Sequence, residues 1–219
     1  MTHTKNLYTN RRYLDAIQDH VLIYDGAMGT SIQRYDLTAQ DFGGERYNGC
    51  NDYLVITRPD VIEAIHASFL AVGCEVIETD TFRSNRLTLG EYGLQDQVLD
   101  INRTAAQLAR QVADRFAAET GIPRYVAGSI GPSGKLPSSD DPDLGNTSFD
   151  ELAALFYEQA KGLVEGGADV LLIETSQDIL EVRAAINGIL RYFEVAGVRF
   201  PLQTQITLDT SGRMLFGTD

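Results

Sequence analysis

Basic residues are scarce in this sequence: 18 Lys and Arg stand against 31 Asp and Glu in 219 residues, a net charge of −13 at pH 7. No basic stripe runs along the chain, which excludes a surface that tracks nucleic-acid phosphates or docks on anionic lipid. No apolar run approaches the ~20 residues that span a bilayer. The first twenty residues, MTHTKNLYTNRRYLDAIQDH, have no apolar signal core. These absences lead to the expectation of a cytoplasmic protein. Cysteine is equally rare. Cys50 and Cys74 are the only two, too few for a Cys-only zinc site, and a disulfide is disfavoured in a reducing compartment. His3, His20 and His66 do not cluster near them in sequence. The 43% hydrophobic and 22% charged shares are those of a chain that builds a core, not of a disordered one.

What is present is one recurring pattern. A short apolar run rich in Val and Ile ends in polar or small residues, and an amphipathic helical stretch follows. The runs are VLIY at 21–24, EVIET at 75–79, YVAGS at 125–129, VLLIE at 170–174 and LQTQIT at 202–207. Their length and their Gly, Pro or Asp borders suit buried parallel strands. Asp60 with Glu63 predicts a helix N-terminus ahead of Val61, Ile65, Phe69 and Val72. Val98, Ile101, Ala105, Leu108, Val112 and Phe116 recur at steps of three and four. Ser148 with Glu151 forms a capping box before Leu152, Leu155, Phe156 and Leu163, and Ser176 predicts a cap before Ile179, Val182, Ile186, Ile189 and Phe193. A short helix over 11–17 precedes the first strand.

This order predicts a mainly parallel α/β sheet, either a doubly wound open sheet or part of a (β/α) barrel. The loops after the first and third runs, 26–59 and 131–147, are long, whereas the returns at 73–74 and 166–169 are short. Both architectures keep their sites on the long-loop face, at strand C-terminal ends. No linker or low-complexity tract interrupts the chain, so residues 1–219 read as a single domain.

Three motifs sit on that face. DGAMGT at 25–30 places a carboxylate at a strand tip beside glycine-exposed amides, a pairing that can hold a zwitterion or simply turn the chain. SIGPSGK at 129–135 is not a phosphate loop, because Ser129 stands where the first Gly is needed and Leu136 where Ser or Thr is needed; its Ser129 hydroxyl and glycine amides could still bind a carboxylate. Glu174 closes the fourth run, either as a paired carboxylate at the mouth or as part of a capping cluster with Ser176. Strand alternation groups Glu78 with Asp80 and Thr79 with Thr81, without saying which pair faces the mouth. His66 reads as a helix-surface or satisfied interior histidine, and both cysteines as structural thiols.

DGAMGTSIQRYDL at 25–37, CNDYLVITRPDVIEAIHASFLAVGCEVIETDTFRSNRLTL at 50–89 and AGSIGPSGKLPS at 127–138 are similar to the homocysteine-binding domain of cobalamin-dependent methionine synthase, in the homocysteine S-methyltransferase family. IETSQD at 173–178 and GRMLFGTD at 212–219 extend the resemblance. It implies a (β/α)8 TIM barrel, truncated here to about the first five strands. It implies methyl transfer to homocysteine to form methionine, with 5-methyltetrahydrofolate as the methyl source of the parent enzyme. Asp25 and Glu174 would hold the homocysteine ammonium, the amides of Gly26 and Ala27 its carboxylate, and Thr81 and Ser129 would line the pocket. The parent's cofactors would be zinc, which lowers the thiol pKa, and methylcobalamin. Its cobalamin-binding and folate-binding modules would be partners.

The pattern departs from the family in one respect. Family zinc cysteines come from strands later than the fifth, and neither Cys50 nor Cys74 occupies such a position. By the resemblance, the zinc cysteines would lie beyond Asp219, the last residue of this sequence. The expectation is an amino-acid-recognition half without catalytic or metal-binding residues of its own, carrying no cofactor and inactive when alone. The alternatives are a cobalamin-independent homocysteine methyltransferase using betaine or S-methylmethionine, and a catalytically silent amino-acid-binding fragment.

Overall fold

The computed structural model describes residues 7–218. His3 and Asp219 lie outside the described residues, and so does the expected position of the zinc cysteines beyond Asp219. Four parallel strands, β1 (Val76–Glu78), β2 (Tyr125–Ile130), β3 (Val170–Ser176) and β4 (Leu202–Ile206), lie side by side in chain order. The register sets Ile77 beside Val126, Gly128 beside Leu171 and Leu172 beside Gln203. The run at 21–24 adds only a parallel bridge from Tyr24 to Val76, although the Glu75 and Val76 amides both reach the Ile23 carbonyl. Val21 and Ile23 stay exposed; with nothing packed on them, this run forms no extended ladder.

Helices α1 (Arg12–Asp19), α2 (Met28–Ile32), α3 (Leu54–Thr57), α4 (Pro59–Ala71), α5 (Arg86–Gly90), α6 (Val98–Thr120), α7 (Phe149–Gly166) and α8 (Ile179–Ala196) complete the framework. The long ones pack in sequence, α4 on α6, α6 on α7 and α7 on α8. A doubly wound sheet would reverse its strand order at a switch point, and this one does not. Alternation along the strands separates two apolar layers. Val126, Ile130, Leu171 and Ile173 meet the helices, while Val76, Tyr125, Ala127, Val170 and Leu172 meet Tyr13 and Ala16 of α1 on the other face. Strands β1 to β3 are buried on both sides for most of their length, which accounts for their near-continuous apolar runs, whereas β4 is partly exposed. Helices α7 and α8 approach so closely that a Cβ on Gly188 would lie 2.1 Å from the Ala153 carbonyl oxygen. No helix among the described residues is long and apolar enough to cross a membrane.

Two expected caps are replaced. Helix α4 begins at Pro59 with Arg58 at the N-cap and no side-chain cap; Pro at the first position has no N–H to satisfy, and Asp60 pairs instead with Arg58 at 2.9 and 2.8 Å. Helix α8 is capped by Asp178, which accepts the Leu180 amide at 2.8 Å. Ser176 remains in β3, its carbonyl taken by the Thr207 amide. The Ser148–Glu151 capping box on α7 forms as expected. His66 is neither surface nor satisfied: it is fully buried and, among the described residues, neither ring nitrogen has a partner.

Candidate functional site

The C-terminal ends of the strands open on a cavity of about 460 Å³. Asp25, Gly26, Ala27, Ser129 and Glu174, all expected at the site, line it together. Thr81 does not. Its amide turns back to the Thr79 carbonyl at 2.9 Å, which ends strand alternation just past Glu78. Glu78, Thr79 and Asp80 therefore all reach the cavity wall. Thr81 packs behind it, fully buried, with Oγ1 against Thr79 Oγ1 at 2.6 Å and donating to the Ser129 carbonyl at 2.7 Å. The Gln159 side chain donates to the Thr81 carbonyl at 2.8 Å and holds this turn from α7.

Each carboxylate is set by a different local device. The Asp25 amide donates to the Val76 carbonyl at 2.9 Å, which continues the sheet for one more residue. Its Oδ2 accepts the Glu78 amide at 3.1 Å, and its Oδ1 is buried without a partner among the described residues. Burial pushes Asp25 up to about 7 against the pull of that amide. Glu174 sits where the β3–β4 register shifts, between Ile173 and Ser176, and Thr175 has φ +56°. Such an irregularity re-aims a side chain at the end of a strand. The Ser129 hydroxyl donates a short hydrogen bond to Glu174, and this partly offsets the upward push of burial on its carboxyl. Glu78 lies with them, pushed up to about 8 by burial and then by the charges of Glu174 and Asp25.

The opposite wall is polar in another way. Asp52 is buried and accepts the Arg83 amide at 2.9 Å and the Ser84 hydroxyl at 2.8 Å. Asp80 faces it with Oδ2 unpartnered, and burial together with the Asp52 charge raises its pKa. Asp52 and Arg83 did not stand out in the sequence, and Glu78 with Asp80 was one of two pairs that could face the mouth. The TDTF turn was the available signal, but its local geometry breaks the alternation that would have located them.

The 129–135 segment has no free donors for a ligand carboxylate at Ser129 or Gly131. The Ser129 hydroxyl goes to Glu174, and the Gly131 amide goes to the Phe82 carbonyl at 3.1 Å. Downstream, Ser133 and Ser138 bond to Glu181 and Asp178 and pin the loop to α8. The amides at the start of α2 are different, because first-turn N–H groups have no intrahelical acceptor.

The donor set does not fit zinc. Among the described residues no three His, Cys, Asp or Glu side chains are grouped to hold a metal ion. Cys50 and Cys74 are buried, and burial pushes both thiols up to about 12, which keeps them protonated at neutral pH. A larger cavity of about 680 Å³ lies on the helical layer, between Leu99 of α6 and Leu155 and Tyr157 of α7, away from the strand ends.

Fold and site define an α/β protein whose parallel sheet carries a carboxylate-lined pocket at its strand C-terminal ends. The sequence matches the homocysteine S-methyltransferase family over residues 22–219, and the chain belongs to that family. It is 41% identical over 218 residues to methionine synthase of Mycobacterium tuberculosis, covering 98% of this chain and 17% of that protein. It is 39% identical over 206 residues to methionine synthase of Mycobacterium leprae, covering 94% and 16%. The chain thus spans about a sixth of the length of these relatives. The fold is similar to that of the homocysteine methyltransferase MmuM of Escherichia coli. Its oxidised form matches with a TM-score of 0.75 at 22% identity, over 94% of this chain and 69% of the other. The metallated form gives 0.74 over 95% and 70%.

Proposed function

We propose that the chain is the homocysteine-recognising part of a methyltransferase that converts homocysteine to methionine, and that residues 1–219 form one partial barrel domain. The observation that carries this reading is the set of carboxylates around one cavity, with the buried Asp25 Oδ1 left unpartnered. A buried acceptor without a donor costs free energy unless a ligand supplies one, and an ammonium does. Asp25 and Glu174 flank the ammonium, and the amides at Gly26 and Ala27 receive the substrate carboxylate. Ser129 fixes Glu174, and Thr81 acts from behind by fixing Ser129.

In this reading the sheet and the Tyr24 bridge supply five of the eight staves of a TIM barrel. The methionine synthase relatives favour methylcobalamin as the immediate methyl donor, over betaine or S-methylmethionine. Cobalamin-binding and folate-binding modules would be the partners, and the setting cytoplasmic. The residues of this chain bind and orient the amino acid, and among the described residues none are grouped to hold a metal that would activate its thiol. The isolated chain would therefore bind homocysteine without methylating it, which is also the behaviour of a silent amino-acid-binding fragment. Calorimetry with L-homocysteine tests the binding step. Saturable binding that Asp25→Asn abolishes supports the reading, and its absence at millimolar ligand overturns it.

A further inference from the structure

The charges around the cavity do not balance for an amino acid. Asp25, Asp52, Glu78, Asp80 and Glu174 line it, whereas the ligand brings one ammonium and one carboxylate. Asp25 and Glu174 each have a donor from the protein, the Glu78 amide and the Ser129 hydroxyl. The Glu78 carboxyl takes no hydrogen bond from any described residue. Among the described residues the only cation in the lining is Arg83, on the far wall, and its Nη2 is committed to Glu91 at 3.0 and 3.1 Å. The amides at the start of α2 and the Asn51 side chain remain as neutral donors for the ligand carboxylate, but the five-residue α2 offers only a weak dipole, and no uncommitted cation stands among the described residues of the lining. Asp80, 5% exposed with Oδ2 unpartnered, lines the same space, which marks it as a site for a polar ligand and not a solvated acidic patch.

Resting on the homocysteine reading above, we infer that Glu78 is a further substrate-binding residue that enters the complex as the neutral carboxyl. It donates its O–H to the ligand carboxylate, while Asp25 and Glu174 take the ammonium. An ionised third carboxylate would instead meet the ligand carboxylate charge to charge. Burial and the neighbouring carboxylates favour the proton on Glu78. Asp25 precedes α2, Glu174 ends β3 and the Tyr24 phenol lies beneath; burial pushes that phenol far above its ordinary range, which keeps it neutral. Asp80 and Asp52 lie beyond, with Arg83 as the single opposing charge. Helix α2 contributes no titratable side chain.

The test is calorimetry of L-homocysteine binding to the 219-residue chain, for wild type, E78A and E78Q, from about pH 6.5 to about pH 9. E78A should weaken binding roughly tenfold near pH 7, the scale of a hydrogen bond to a charged group. E78Q, which keeps a neutral donor, should recover most of that loss. Wild-type affinity should fall as pH rises past about 8, and E78Q should lack that fall until the ligand ammonium itself titrates. E78Q binding as weakly as E78A would overturn the inference, as would an unchanged falling limb in E78Q. Wild-type binding that D25N abolishes keeps the homocysteine reading whatever the Glu78 variants do; no wild-type binding removes both. A ligand-independent measurement stands beside these. The thermal midpoint of the empty chain at about pH 8 should be higher in E78Q than in wild type, and no rise would overturn the neutral-carboxyl assignment.

Discussion

The Glu78 backbone amide donates to Asp25 Oδ2 at 3.1 Å. One residue of β1 thereby fixes the carboxylate at the tip of the preceding run and brings its own carboxyl into the same cavity. The bond leaves Asp25 Oδ1 facing no donor. The strand end thus presents a buried acceptor at the cavity.

Asp25→Asn keeps an acceptor for the Glu78 amide but removes the charge, so the fold should persist while homocysteine binding fails. Glu174→Gln likewise keeps the contact with Ser129. Loss of one partner from a buried charged hydrogen bond costs about 2–5 kcal/mol, so each variant should lose ~30-fold or more in affinity. Calorimetry beside far-UV circular dichroism checks both halves. Unchanged affinity in both variants would remove these residues from the ammonium site.

Proton linkage should accompany binding. Asp25 is held up to about 7, and an ammonium selects its ionised form. Affinity should therefore rise as pH increases through about 7, with release of a proton. Titration in two buffers of different ionisation enthalpy measures this directly. For the empty chain the sign runs the other way. Asp25 and Glu78 have folded pKa values raised above their ordinary ones. Their contribution to stability is full below about pH 4 and is lost as pH climbs through about 7 and about 8. Urea midpoints that stay flat across this window would contradict the burial of these groups.

His66 produces the opposite slope. Burial without a partner lowers its pKa to about 4 from 6.5, so the fold excludes the imidazolium. Its contribution is complete above pH 6.5 and declines as pH falls toward about 4. His66→Leu removes two unpaired polar atoms from an apolar helix interior, and an unsatisfied buried group costs about 1–3 kcal/mol. The variant should be more stable than wild type at neutral pH, with the gap widening at pH 5. A loss of stability at both pH values would show that the ring has a hydrogen-bonded partner in solution.

Strand β4 pairs with β3 on one side, and among the described residues nothing pairs on its other side. Thr204, Gln205 and Ile206 are exposed, and so are Val21 and Ile23 at the opposite margin. Open strand edges beside exposed apolar side chains template association. The chain alone should associate with rising concentration, and Ile206→Lys should suppress this. Sedimentation velocity on both decides it; a wild type that stays monomeric throughout would refute it.

Much of this architecture was legible in the sequence because its causes are local. The runs at 75–79, 125–129 and 170–174 announce strands buried on both faces, Ser148 and Glu151 announce the start of α7, and Gly167 follows its end; each depends on neighbours a few residues away. Asp25, Gly26 and Glu174 could be placed at strand tips for the same reason. Other features depended on contacts between distant segments. The single Tyr24 bridge reflects what packs beside residues 21–24, and the α8 cap moved to Asp178 because Ser176 is claimed by β4. Glu78 and Asp80 came to the cavity together with Thr79 only because a three-residue turn, held by Gln159 from α7, broke the alternation that the sequence implies. The sequence by itself determined which residues carry charge and where strands end. Tertiary structure decided which charges share one cavity, because burial and opposing carboxylates set their protonation, and those come from segments up to about 150 residues apart.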